Sequence, residues 1–563
     1  MVTMELEFLT ATEVWEGYDP TSAPLESSII STDSADDITC SKLTFTAEET
    51  ASGAIRAYAE VYYDGDSEDE SKHPAILLLA SYPKKDYSDI IRPLVNDGYA
   101  VCLLDYCAAV FDGENKTSFP PELGYASYPE CNRRLNTVLD NARNTPWFVW
   151  SKLARRALTL MTTLKVVDAN RMGVLGIGEG AHVAWQVAAM DNRVRAFVPI
   201  GGNGYLWAMD KPRFALGSVP TTDEDRTFSA GIGAETYAKF VQCPTLLITS
   251  RAAQSSDVDR AGEILSFVKS ASKQLLITTT HETQISKSVL RALLDWLSRS
   301  LSAEVNTAED VPAPTMSFEI IDDQLYLRVH TGHEASSREI YVCYGETLSS
   351  ARHWIKLSNL QKLDTHYYSV GVPVYDIHEL IVAYSTITYP DGNVISTPVI
   401  SIVPAKQGMP INNAVRVASR VVYDGSMGLG GFICLTDDTV VEDNIVVQQD
   451  GPFEIKGITA KRGGLYLYRS AAEITSMSKF ATLHFDAYSS EKREISISMY
   501  SYPDFKRYTA YTELDGGEFW QKVLLGNADF KSDEGRMLSR FDTMKVIAIS
   551  DAQGVIFNNF MWI

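Results

Sequence analysis

The chain is expected to fold as a multidomain protein, α/β in its first half and all-β beyond it. Three observations carry that expectation. Its 563 residues exceed what one hydrophobic core serves, and at roughly 100–200 residues per domain they suggest three or four units. Between residues 73 and 302 short apolar runs alternate with helical segments, the pattern of a parallel sheet covered on both faces. Beyond about residue 311 strands return without helices.

Taken in order, residues 1–72 are strand-like and are expected to pack on the unit that follows. Residues 43–46 and 55–63 alternate apolar and polar side chains with the two-residue period of half-buried strands. The acidic run 64–71 reads as a solvated turn. In 73–302 the buried strands are 75–80, 100–105, 172–175, 194–200, 245–249 and 275–279. A closing helix from about 284 to 301 spaces Ile285, Val289, Leu293 and Leu297 four apart on one face. Pro312 and Pro314 mark a linker. Residues 311–405 hold strands at 325–329, 340–344 and 380–389, the last turning at Asp391-Gly392 as a hairpin. A stretch of this length and kind fits a small immunoglobulin-like β-sandwich. A second boundary falls at 406–410, and residues 412–563 again read as strands and turns.

The formal net charge of -22 argues against a nucleic-acid partner, because phosphate binding needs clustered Lys and Arg. Seven cysteines are scattered singly without a CxxC pair, which suggests a reducing compartment and no zinc or redox site. No basic segment followed by an apolar core opens the chain, and no run approaches the roughly 20 apolar residues that span a bilayer. A cytoplasmic protein with no membrane partner is the expectation, or an extracellular one if further sequence precedes the first residue.

The most informative segment is Gly176-Ile177-Gly178-Glu179-Gly180. It follows a short apolar strand and opens an amphipathic helix, the layout of a GxSxG nucleophile elbow. Here the nucleophile's position is Gly178, which has no side chain with which to attack a carbonyl. Residues 166–180, with Asp191-Asn192-Arg193-Val194-Arg195-Ala196-Phe197-Val198 after them, resemble the α/β-hydrolase superfamily, and specifically its acetyl xylan esterase and dienelactone hydrolase branches. The resemblance covers close to 230 residues, a domain-sized stretch. It implies an acid in the loop after strand 243–249 and a histidine after the next strand. The usual acid falls near Ala253, which leaves Asp257 as a displaced substitute and Asp259 as a helix-start residue. His281 stands at the histidine position. The family's oxyanion hole implies backbone amides at Glu179 and near Ser81-Tyr82.

Two of the three triad positions are altered, so a working triad, in which a carboxylate holds the imidazole that takes the nucleophile's proton, is not expected. Rescue candidates have plainer readings that are preferred. Glu179 reads as a first-turn carboxylate, His182 as a packed core histidine, and Cys107 as a buried thiol.

Residues 412–563 resemble the jelly-roll carbohydrate-binding modules found beside polysaccharide-degrading enzymes, through residues 518–530 and the closing strands 543–549 and 554–563. In 494–502 the strand period sends Ile495, Ile497 and Met499 to one face and Ser496, Ser498, Tyr500 and Tyr502 to the other. Tyr500 and Tyr502, with Tyr508 and Tyr511 after them, are the candidate sugar-stacking rings, against the plainer reading of cross-strand packing. The acidic stretch 437–444 offers oxygen ligands for calcium but lacks an EF-hand spacing, so a solvated turn is preferred. No cofactor or metal is expected. Two functions stay open: a non-catalytic, carbohydrate-associated binding protein, and a carboxyl-ester hydrolase of acetyl xylan esterase type acting on acylated glycan through a rearranged site.

Overall fold

A nine-stranded sheet organises the first half of the computed structural model, which describes residues 6–65, 72–82, 86–111, 113–131, 135–136, 138–209, 211–214, 221–302, 312–410, 419–470, 481–501 and 506–563. Its strands are β1 (Ser28–Ala35), β2 (Ile38–Thr50), β3 (Gly53–Asp64), β4 (His73–Leu79), β5 (Ala100–Asp105), β6 (Val167–Ile177), β7 (Val194–Ile200), β8 (Thr245–Ser250) and β9 (Lys273–Thr278). They lie in the order β1-β2-β3-β5-β4-β6-β7-β8-β9. From β5 to β9 every pairing is parallel, and the β1–β3 flank joins antiparallel through β3 and β5. Strands β5 and β8 are buried at every position, as expected where helices cover both faces.

The helices are α1 (Ala11–Trp15), α2 (Ser88–Asn96), α3 (Pro146–Thr163), α4 (Glu179–Met190), α5 (Asp223–Gly231), α6 (Ala234–Ala238), α7 (Val258–Phe267) and α8 (Lys287–Ser300). Thr145 caps α3 and Pro146 occupies its first turn, where a missing N–H costs nothing. Arg156, buried on α3, donates to the carbonyls of Pro20, Pro24 and Thr46 and so fastens the amino-terminal segment to the sheet.

The first 72 residues depart from an all-strand reading. Helix α1 stands there on a Thr10–Glu13 capping box, too short to show a helical period. Strand β1 has an almost wholly exposed pattern, so burial left no alternation to read. Residues 66–71 lie outside the described residues.

Residues 315–402 form two facing antiparallel sheets. One holds Thr315–Ile321, Gln324–His330 and Tyr367–Val372; the other holds Ser337–Tyr344, Ile381–Thr388 and Val394–Ser396. The hairpin across Asp391-Gly392 pairs Thr388 with Val394. Leu327, Val329, Ile340, Val342 and Ile387 fill the space between the sheets. The last segment stacks two six-stranded sheets, one around Ile556–Trp562 and one around Met544–Ser550 and Arg493–Ser501.

Both β units are seated on the first. Ser396 Oγ accepts from the Ile277 amide on the edge strand β9 at 3.0 Å. Arg352 grips Asp259 with both guanidinium ends, each side chain wholly buried. A short strand β10 (Ile285–Ser286) pairs in parallel with Val440–Val441 of the carboxyl-terminal unit. That pairing starts the closing helix at Lys287 rather than near 284.

Candidate functional site

Gly178 sits where β6 turns into α4, with φ +57° and ψ −119°, a left-handed conformation that favours glycine. The turn is also crowded by backbone. A Cβ on Gly180 would stand 1.9 Å from the Leu79 carbonyl oxygen, and one on Gly176 would stand 2.5 Å from Ala181 Cα. The spacing of small residues in this motif therefore answers to the close approach of β4 and the first turn of α4.

Ser81, two residues past β4, faces the turn. A Cβ on residue 178 would lie 3.0 Å from Ser81 Oγ and 3.2 Å from Thr283 Cγ2. The Ser81 hydroxyl donates to Glu179 Oε2 at 2.8 Å. The sequence placed Ser81 beside a backbone donor; its hydroxyl at the vacant nucleophile position is visible only in three dimensions. Tyr82 turns its ring among Tyr106, Tyr128 and Trp150, with its hydroxyl buried and without a hydrogen-bond partner among the described residues.

The imidazole of His281 has the Thr283 hydroxyl 3.1 Å from Nδ1, and among the described residues no carboxylate pairs with it. Burial lowers its pKa to about 4, so the ring is neutral at ordinary pH. Asp257 is engaged elsewhere: it caps α7 by accepting from the Asp259 amide and pairs with Arg260 at 3.2 Å. His281 and Asp257 are thus not brought together. Asp259 is in the first turn of α7, as a helix-start residue should be, and also holds Arg352 of the neighbouring sandwich.

Glu282 is the residue that sequence reasoning passed over. Its Oε2 accepts from the amides of Gln254 and Ser255 at 2.9 and 2.8 Å, bracing the loop in which the acid was sought. Burial pushes its carboxyl up to about 7 despite those amides. Ala253 in that loop is buried and has no group to offer. His182 is a buried core histidine set edge-on to Trp147, its pKa lowered to about 4 by desolvation. The Cys107 thiol is fully buried and pushed well above its ordinary value by desolvation.

The mouth of the site is narrowed by the acidic stretch read as a solvated turn. Asp89 on α2 accepts from the amides of Thr439 and Val440, the latter at 2.8 Å. Gln284 Nε2 donates to the carbonyls of Thr436 and Asp438 at 3.0 and 2.9 Å. Thr439, Val440 and Val441 are buried. This correction has a plain cause: two apolar residues follow the acids and pair with β10, an interaction between distant parts of the chain. What remains beneath is a cavity of about 150 Å³ lined by Ser81, Tyr82, Tyr87, Ile177, Thr283 and residues 436–439. Among the described residues, no group of three or more His, Cys, Asp or Glu side chains converges as a metal site.

On the carboxyl-terminal unit the strand alternation holds: Ile495, Ile497 and Met499 are buried. Tyr511 lies opposite Ser496 and Tyr500 opposite Arg507, which puts both rings on the outer face. Tyr511 is 66% exposed. Tyr508 lies opposite Met499 and packs against the interior, so it is not an outer-face ring. Tyr508 and Tyr511 are three apart on one strand, so they face opposite sides. Tyr502 lies outside the described residues. On the same outer face Tyr466 stands opposite Ala548, itself opposite Ser498. Among the described residues no helix is long and apolar enough to cross a membrane.

No protein-family model matches the chain, and no curated protein matches it. Similar solved structures include acetyl xylan esterase 1 from Thermoanaerobacterium sp. JW/SL YS485, at 16% identity over 50% of this chain and 90% of that one, with a TM-score of 0.37. An acetyl xylan esterase from Paenibacillus sp. R4 is similar at 13% identity over 50% of this chain and 91% of that one, TM-score 0.39. A glucuronoyl esterase from Solibacter usitatus is similar at 12% identity over 51% and 90%, TM-score 0.36.

Proposed function

We propose that this chain is a non-hydrolytic α/β-hydrolase-like protein associated with carbohydrate binding, built as an amino-terminal segment 1–72 packed on 73–302, a sandwich 311–405 and a jelly roll 412–563. The seat of residues 436–439 over the Gly178 turn carries this reading. The cavity they leave, about 150 Å³, falls below the roughly 300–1,000 Å³ of small-molecule sites. A degenerate elbow, a histidine paired with Thr283 rather than a carboxylate, and Asp257 committed to α7 support the same conclusion. Glycan contact is assigned to the outer sheet face through Tyr500 and Tyr511, where ring faces stand beside hydroxyls.

A second reading rests on one observation. The Ser81 hydroxyl lies 3.0 Å from where a Cβ on residue 178 would stand and already donates to Glu179. In a carboxyl-ester hydrolase built on that pair, Ser81 Oγ would bond to the ester carbonyl carbon as its proton passes to Glu179. Glu179 would then return the proton to the departing alcohol, and water would release the acyl group by the reverse exchange.

Hydrolysis of p-nitrophenyl acetate by the purified chain separates the two. The expected result is no turnover above that of the denatured chain, unchanged in His281→Ala and Ser81→Ala, and little gained in Gly178→Ser. Turnover abolished by Ser81→Ala and kept by His281→Ala would establish the second reading. Binding to immobilised xylan, lost at least tenfold in Tyr500→Ala with Tyr511→Ala at unchanged thermal stability, tests the sugar face. Binding that survives both substitutions would remove it.

A further inference from the structure

The antiparallel flank of the large sheet holds a second cavity, of about 470 Å³, within the range of small-molecule sites. Its floor follows from strand alternation. On β3 the side chains of Tyr58, Glu60 and Tyr62 point to one face; Cys40 lies opposite Tyr62, and Leu103 opposite Glu60. Ile91 of α2, Val110 and Phe111 complete the apolar walls, with Phe111 edge-on to Tyr58 at 5.0 Å.

Beside this aromatic surface stands the Glu60 carboxylate, with Asp33 and Asp86 also on the lining. Glu60 is 9% exposed. The Tyr58 hydroxyl donates to its Oε1 at 2.6 Å and the Tyr62 hydroxyl to its Oε2. Burial and the neighbouring Glu60 carboxylate raise both phenols, so they remain neutral donors. The cations nearby are committed to other acids. Lys42, directly across the sheet from Glu60, pairs with Asp33 at 3.4 Å, and Arg92 pairs with Asp36 at 3.3 Å. Among the described residues Glu60 has no ion-pair partner. A buried negative charge beside ring faces favours a diffuse cation, because cation–π attraction grows as water is excluded. A strongly hydrated metal ion is less suited, since both Glu60 carboxylate oxygens already receive phenol hydrogens.

We infer that this cavity is a binding site for a small organic ammonium ion, a methylated or alkylated amine seated over Glu60 between Tyr58, Tyr62 and Phe111. The inference is independent of the proposed function, which concerns the other face of α2. The probe is tetramethylammonium chloride, with tert-butanol as a neutral molecule of similar shape and sodium chloride as the ionic-strength control.

Two readouts decide it on the full chain. Cys40 lines the cavity and is partly accessible, as is Cys131 elsewhere. Tetramethylammonium is expected to slow maleimide labelling of Cys40 saturably and to leave Cys131 unchanged, with neither control doing so. Calorimetric titration is expected to show Glu60→Gln weakening binding at least tenfold, since the glutamine keeps an acceptor for a phenol but loses the charge. Absence of saturable protection in the unsubstituted chain overturns the inference whether or not the variant folds. Equal protection by tert-butanol, or unchanged affinity in Glu60→Gln, overturns it as well and leaves a merely apolar cavity.

Discussion

Two cavities lie on either side of helix α2, and Tyr87 lines both. The one over Gly178 carries the recognisable motif and is narrowed by a loop arriving from more than 250 residues away in the chain. The one over Glu60 carries no motif, is about 470 Å³ against about 150 Å³, and lies at the sheet flank. The difference teaches that a motif dictates a backbone path, whereas access to it is decided by whatever packs on top. The Gly176 and Gly180 positions are required by contact distances under 3 Å whether or not any chemistry survives. No comparable constraint marks Glu60, because a charged residue alternating with tyrosines reads as an ordinary strand face.

The largest test of this contrast is Arg352→Met. It strips the cation from a buried pair and leaves Asp259 uncompensated, at a cost of about 3–5 kcal/mol. Urea unfolding should register that loss. The start of α7 should loosen while Cys40 labelling on the far flank stays unchanged. A loss below about 1 kcal/mol, the scale of an exposed pair, would mean that this pair does not seat the sandwich on the first unit.

Acidification tests the same side of the molecule. Burial holds His182, His281 and His353 at about 4. Each stays neutral when folded but takes a proton below about 6.5 when unfolded, so stability is full above pH 6.5 and is lost as pH falls toward 4. Glu282 acts in the opposite sense. Raised from 4.5 to about 7 by burial, it contributes fully below pH 4.5, and that contribution is lost as pH rises to 7. Glu282→Gln removes this opposing slope. The acid loss between pH 7 and 4.5 should steepen by on the order of 3 kcal/mol, read from urea midpoints. An unchanged slope would show that Glu282 is ionised throughout.

The smallest effect is expected from Asp89→Ala. It deprives the Thr439 and Val440 amides of their acceptor, for about 1–3 kcal/mol. Hydrogen exchange at those two amides should accelerate, without faster exchange along β3. Acceleration at both would join the two cavities into one cooperative unit and dissolve the comparison.

Much of the fold was legible because parallel strands buried on both faces appear as uninterrupted apolar runs, as in 100–105 and 245–249. The amino-terminal helix and strand β1 were not, since five residues show no period and an exposed hairpin strand shows no alternation. Within the candidate site, Gly178 and His281 could be placed by motif order. Asp257 could not be judged, because whether a carboxylate turns toward an imidazole or caps a helix depends on a side-chain rotation that spacing does not encode. Tyr508 stands three residues before Tyr511 on one strand, so the two-residue period sets the pair on opposite faces.

By itself, the sequence determined that residue 178 has no attacking atom, that a parallel sheet lies beneath it, and that β-rich units follow. Those properties depend on residue chemistry and local periodicity, which are carried along the chain. Only the tertiary structure decided that Ser81 and Glu179 meet beside the Gly178 turn, that residues 436–439 line the cavity over it, and that Glu60, without an ion-pair partner among the described residues, lines a second cavity. Each of these arises from groups far apart in the chain brought within a few ångströms, and no local pattern records such an approach.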